Sequence, residues 1–97
     1  MKVTILGSGT SGGIPEIGCD CPVCRSQNPK NKRTRASILV ETSSTAVLVD
    51  TGTDFRIQAL ARGISRLDAV LFTHAHADHC HGLDDIRPLT REKPIPI

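Results

Sequence analysis

Residues 73–82 read THAHADHCHG, and all four histidines of the chain fall inside that string. In an extended segment, side chains two positions apart leave the same face, so His74 and His76 can converge on one ion. Asp78 and His79 follow where the chain turns toward a helix, and they serve a nearby second position. Neutral imidazole binds borderline ions such as zinc. A carboxylate among histidines suits a catalytic site, where one coordination position is left to water, rather than a closed structural one. Two ions about 3.5–4 Å apart can share a water and lower its pKa to about 7. Cys80 and His81 carry less weight. Cys80 falls on an apolar helical stripe and reads as core; His81 reads as a surface residue or a support for a ligand.

A second cluster, GCDCPVC at 18–24, places Cys19, Cys21 and Cys24 within six residues. The chain shows no secretory signal, and such close spacing favours thiolate ligands to one zinc over disulfides. An ion there would hold an otherwise loose loop insertion at about 15–35. A redox site or a buried trio is the alternative. The run KNKRTR follows, with Lys30, Lys32, Arg33 and Arg35. It reads as a solvated loop, or as a group of cations that neutralises phosphate.

The string ILGSGTSGG at 5–13 contains G-x-G-x-x-G at Gly7, Gly9 and Gly12. A dinucleotide fingerprint needs a helix opening at the third glycine and an acidic residue about 20 positions on. Gly13, Pro15 and Gly18 forbid that helix, and the later region is basic loop. The remaining readings are a turn that needs positive φ, or a loop whose bare backbone lets a substrate come close.

These groups need elements to position them. Lys2 to Leu6 reads as a strand, and 7–35 as loop. Ser37–Glu41 and Ala46–Asp50 read as a hairpin. Thr53 or Asp54 can cap a helix over Phe55–Arg62, with Gly63 at its end. Ala69–Phe72 reads as a buried strand. A second helix is expected from Asp78, with Ala77, Cys80, Leu83 and Ile86 on one face and Pro88 limiting it. Ile95 and Ile97 alternate like the start of another strand.

Ninety-seven residues suit one domain at most, with a net charge of +2 and two phenylalanines as the only aromatics. So short a chain buries only about 60–65% of its unfolded surface. A metal, a partner chain or further sequence is expected to complete it. The charge is too mild to favour nucleic acid as a partner, although the basic run leaves it open. No run suits a membrane span or a signal peptide, so a cytoplasmic location is the expectation.

HAHADH resembles the H-x-H-x-D-H signature of the metallo-β-lactamase superfamily, and Leu48-Val49-Asp50-Thr51-Gly52 is similar to the aspartate-bearing strand end that precedes it. The resemblance implies an α/β (α+β) fold, the first half of a four-layer αββα sandwich. It implies that His74 and His76 bind one metal and that Asp78 and His79 bind the other. Asp78 would also take a proton from the nucleophilic water. Asp50 would steady the site, its alternative role being a helix cap. Leu6, Gly7, Gly9 and Pro15 match the active-site loop of relatives of the transfer-RNA 3′-processing enzymes. The cysteine insertion looks like that of the cyclic-phosphate phosphodiesterase serving carbon–phosphorus lyase, where a later histidine completes a structural zinc site. Asp84, Asp85 and Arg87 also look similar to that subgroup, with substrate contact and a structural ion pair both open for Arg87. The implied activity is hydrolysis of a small cyclic or nucleotide-like phosphodiester by hydroxide formed on two zinc ions, or manganese in their place, with a third zinc structural. Thioester or lactam hydrolysis, and a zinc-binding interaction module without catalysis, are the alternatives. The second half of such a fold supplies further ligands that residues 83–97 do not contain. The chain is therefore expected to be an N-terminal portion, completed by a longer gene product or another chain and inactive alone.

Overall fold

The computed structural model describes all of residues 1–97. Four strands form one sheet in the order β1 (Lys2–Gly7), β2 (Ser37–Glu41), β3 (Ala46–Val49) and β4 (Ala69–Leu71). The first three are antiparallel neighbours, and β4 runs parallel to β3. A parallel pair needs a crossover, here the helix α2 (Phe55–Arg62), which ends at Gly63 in the left-handed conformation with φ 63°. The β2–β3 turn lacks glycine. Thr42 closes it instead, its backbone N–H bonding the Thr45 carbonyl and its hydroxyl accepting from the Ser44 and Thr45 N–H groups.

The strand pattern sorts apolar side chains onto two faces. On one face, Leu39, Leu48 and Val70 stand in register across β2, β3 and β4 and pack with Phe55, Leu67, Ile86 and Ile95. Phe55 is 1% exposed and Leu48 fully buried. The other face carries two apolar rows across all four strands: Val3, Val40, Val47, Ala69, and Ile5, Ile38, Val49, Leu71. Nothing covers these rows, and Val3, Ile5 and Leu71 are 53–56% exposed. A Val, Leu or Ile side chain gains about 1.5–3 kcal/mol on full burial, so this face is strongly primed for a cover.

Several expectations need correction. The 7–35 segment is not all loop. It holds the one-turn helix α1 (Pro22–Arg25) and a 3-10 turn at Pro29–Asn31, each opening on proline. Cys21 and Asn28 accept the backbone N–H bonds that start them. β4 stops at Leu71, whose side chain is exposed, so it is not the wholly buried strand expected. The helix after Asp78 is a single turn, α3 (Ala77–Cys80), followed by a 3-10 helix over Leu83–Thr90 that runs through Pro88. Leu83 and Ile86 follow the 3-10 repeat of three, whereas Ala77 and Cys80 belong to the α turn before it. Asp54 precedes α2 but makes no capping bond, because its carboxylate holds Arg35. At the C-terminus, Ile95 enters the core, Ile97 is exposed, and the Pro96 carbonyl accepts the Val70 N–H at 3.0 Å.

Candidate metal centre

The sheet directions bring the C-terminal ends of β1, β3 and β4 to one end, and the chemistry collects there. Asp50 follows β3 directly and has φ 66°. Aspartate tolerates this left-handed conformation better than most side chains. Its N–H continues the ladder to the Leu71 carbonyl at 2.8 Å. The bend turns a carboxylate that is nearly buried across to the end of β4. Oδ1 accepts the Thr73 N–H at 2.8 Å; Oδ2 accepts the Thr73 hydroxyl at 2.7 Å and His79 Nδ1 at 2.8 Å. Burial alone would raise the pKa of Asp50. The Thr73 N–H and hydroxyl and the His79 ring outweigh it, and the net shift is downward.

Thr73 links two ligand candidates. Its hydroxyl donates to Asp50 and so can accept from His74 Nδ1 at 3.0 Å. The His74 ring lies 4.6 Å from His76, edge to face, and 4.1 Å from His79, centroid to centroid. The rings of His74 and His76 make no hydrogen bond beyond that one to Thr73, and His76 is exposed. Asp78 and His79 sit in α3, with His79 Nε2 3.0 Å from Asp78 Oδ2.

That last contact tests whether a metal suits the site. Asp50 accepts a hydrogen bond from His79 Nδ1–H, so in the neutral ring Nε2 is an acceptor. It faces a carboxylate oxygen, and two acceptors this close repel unless a proton or a cation is held there. A divalent ion suits this imidazole and carboxylate set. Among His, Cys, Asp and Glu, the only three side chains whose ligand atoms all lie within 4.8 Å of one another are Cys19, Cys21 and Cys24. The four groups of the histidine stretch meet as neighbouring pairs instead.

Backbone contact fixes where α3 sits. The Gly82 N–H donates to the Thr51 carbonyl at 2.9 Å. A β-carbon on Gly82 would overlap the Gly52 carbonyl, and one on Gly52 would stand 2.6 Å from the Asp78 carbonyl. Only glycines let the two segments come so near.

The glycine loop starts no helix. Gly9 donates to the Thr34 carbonyl at 2.7 Å, and Ile14 and Arg33 exchange two backbone bonds of 2.8 Å. Arg35 then donates from Nε to Ser11 and from Nη1 to Asp54. Sequence reasoning missed Thr73 and the Arg35–Asp54 pair. The position of Thr73 immediately before His74 was the available signal; the pair, 19 residues apart, had none.

The three cysteines are free, with Cys19 and Cys21 exposed. The Cys24 N–H reaches Cys21 Sγ, and the Glu16 N–H reaches Cys24 Sγ, both at 3.4 Å. The Cys24 N–H, with the Cys19 thiol, draws the Cys21 pKa down to about 7. At Cys24 the Glu16 N–H acts in the same sense, but the Cys19 thiol, burial and Cys21 outweigh it and raise that thiol. Cys80 is half-buried with its thiol 3.5 Å from the Ala75 carbonyl, and His81 is exposed. Arg87 pairs with Asp84 at 2.8 Å.

Residues 45–97 match the model of the β-lactamase superfamily domain. The chain is 50% identical, over its whole length, to 20% of an octanoyltransferase from Porphyromonas gingivalis. It is similar to the crystal structure of a diphosphatase from the PhnP family, with TM-score 0.87 and 56% identity over 90% of this chain and 34% of that one. Zinc-bound PqqB from Methylobacterium extorquens superposes with TM-score 0.79 and 30% identity, over 96% of this chain and 35% of that one. The chain thus spans about a fifth to a third of the proteins it matches. No helix is long and apolar enough to cross a membrane. With the Asp50 strand end and the histidine stretch both inside the matched span, the chain belongs to the metallo-β-lactamase superfamily.

Proposed function

We propose that residues 1–97 form the N-terminal portion of one metallo-hydrolase domain, with a zinc-binding insertion at about 15–35, acting on a small cyclic or nucleotide-like phosphodiester. The observation that carries this reading is the run of contacts Asp78–His79–Asp50–Thr73–His74 at one end of the sheet. His74 and His76 would hold one divalent ion, and Asp78 and His79 a second. Zinc or manganese suits these donors, and zinc suits the three thiolates. When bound, such ions lower the pKa of water to about 7 and draw charge from phosphoryl oxygens.

The protein's own groups prepare the rest. Asp50 keeps the His79 proton on Nδ1 and so leaves Nε2 free as a ligand. Thr73 does the same for His74. Asp78, with a half-buried carboxylate beside His79, would accept a proton from the attacking water. The glycine loop offers bare backbone at the same end of the sheet. The similarity to a PhnP-family diphosphatase supports a phosphate ester over a thioester or lactam.

The uncovered apolar rows support completion of the fold by a second sheet, from a longer gene product or another chain. The test is metal content together with hydrolysis of bis(p-nitrophenyl) phosphate by the completed protein. Two to three ions per fold, with activity lost in His76→Ala, support the reading. A single ion that stays bound when His74 and His76 are both replaced rejects it.

A further inference from the structure

A cleft of about 220 Å³ lies between the end of β1 and the turn before β2, and its walls include Ser8, Lys30, Lys32, Arg33 and Thr34. No aspartate or glutamate lines it. Lys30, Lys32 and Arg33 pair with no carboxylate, as do Lys2, Arg56, Arg62 and Arg91, but these three share one cleft. Three uncompensated cations around one concavity raise its potential and favour an anion there.

The cleft is also built in advance. Arg33 donates from Nε to the Lys30 carbonyl at 3.1 Å and from Nη1 to Ser8 Oγ at 2.8 Å. That leaves Nη2 without a protein acceptor. Its backbone is fastened to the glycine loop by both bonds to Ile14, and a β-carbon on Gly9 would stand 2.5 Å from the Arg33 carbonyl. A guanidinium held this way loses little freedom on binding. It also presents the planar donor set that phosphate oxygens match.

We propose that this cleft is a subsite for a phosphate or diphosphate group. The part of the proposal that assigns this group to the substrate rests on the phosphodiester reading above. β1 and β4 are three strand spacings apart, so the end of β1 that walls the cleft stands roughly 14 Å from the strand end that leads into the histidines. A substrate engaging both therefore carries a second phosphoryl group, as a nucleotide-like ester does, and is gripped away from the bond that breaks.

Amide chemical shifts of the ¹⁵N-labelled protein, titrated with inorganic pyrophosphate, test this. The expected result is saturable one-to-one binding that moves Ser8, Arg33 and Thr34. Lys30→Glu and Arg33→Gln weaken it at least about tenfold, and Arg62→Gln, at an exposed cation outside the cleft, leaves it unchanged. The Lys30 side chain makes no hydrogen bond within the chain, so its variant tests the charge even should Arg33→Gln disturb the loop. Shifts confined to residues 73–79, or an affinity indifferent to Lys30→Glu, would overturn the proposal. A short single-stranded oligonucleotide that moves these amides more strongly than pyrophosphate, with steep salt dependence, would replace it with a nucleic-acid surface. Pyrophosphate bound here by a protein that hydrolyses no diester would uphold the cleft and reject the hydrolase reading.

Discussion

His79 Nδ1 stands 2.8 Å from Asp50 Oδ2, joining a one-turn helix to the end of a strand 29 residues earlier. This bond sets which nitrogen of His79 remains free. Asp50→Asn is expected to keep the fold, because asparagine also tolerates the left-handed conformation. It is expected to lower affinity for the metal bound through His79 by about 10–100-fold. Zinc competition against a chromophoric chelator, with circular dichroism as the control for folding, measures it.

Gly82→Ala is expected to destabilise the fold by about 1–3 kcal/mol, since its methyl group would press on the Gly52 carbonyl. Gly63→Ala meets open space and carries only the cost of its left-handed φ, about 1–2 kcal/mol. Urea denaturation compares the two. Only Gly82→Ala is expected to weaken metal binding at the histidines.

Asp68 ties the end of the chain to the sheet. It accepts from Lys93 at 2.6 Å, from the Ala46 N–H at 2.7 Å and from Arg66 at 2.7 Å. These contacts, Lys93 foremost, hold its carboxyl well below the ordinary value of 3.8. A depressed carboxylate stabilises the fold fully above its unfolded pKa, and that contribution is lost as pH falls through the folded value. Asp68→Asn is therefore expected to lower the urea midpoint at pH 7. The gap from the unsubstituted protein is expected to narrow only below about pH 4.

Cys21→Ser is expected to remove one zinc per chain while leaving the ions at the histidines, as read by metal analysis. With that ion gone, proteolytic cleavage within residues 15–30 is expected to accelerate. An unchanged metal count would reject the structural zinc.

Local chemistry was readable from residue order. The i, i+2 spacing of His74 and His76, the close cysteines, the glycine that ends α2 and the β2–β3 pairing all follow from neighbours in the chain. Family resemblance put Asp50 beside the site but named no partner for it, and no local pattern ties a strand end to a side chain 29 residues on, so its bond to His79 came from the structure alone. The spacing of Ala77, Cys80, Leu83 and Ile86 suggested one helical face, but Ala77 is exposed and the four fall in two helices, because a repeat of three serves a 3-10 helix and approximates an α one. Leu71 reads as buried in any apolar run. Its exposure arises because the apolar rows have no cover, a property of the whole sheet.

The interlocked glycines at 52 and 82 carry a consequence for how the histidine cluster tolerates change. Its dimensions are gauged first by main-chain atoms in mutual touch, with the Phe55 β-carbon next against Gly82. Exchange of Leu48 or Val70 for another hydrophobe is therefore expected to cost robustness while shifting the ligands little, since neither is among the atoms nearest the two glycines. A single methyl at either bare α-carbon would recalibrate the whole cluster.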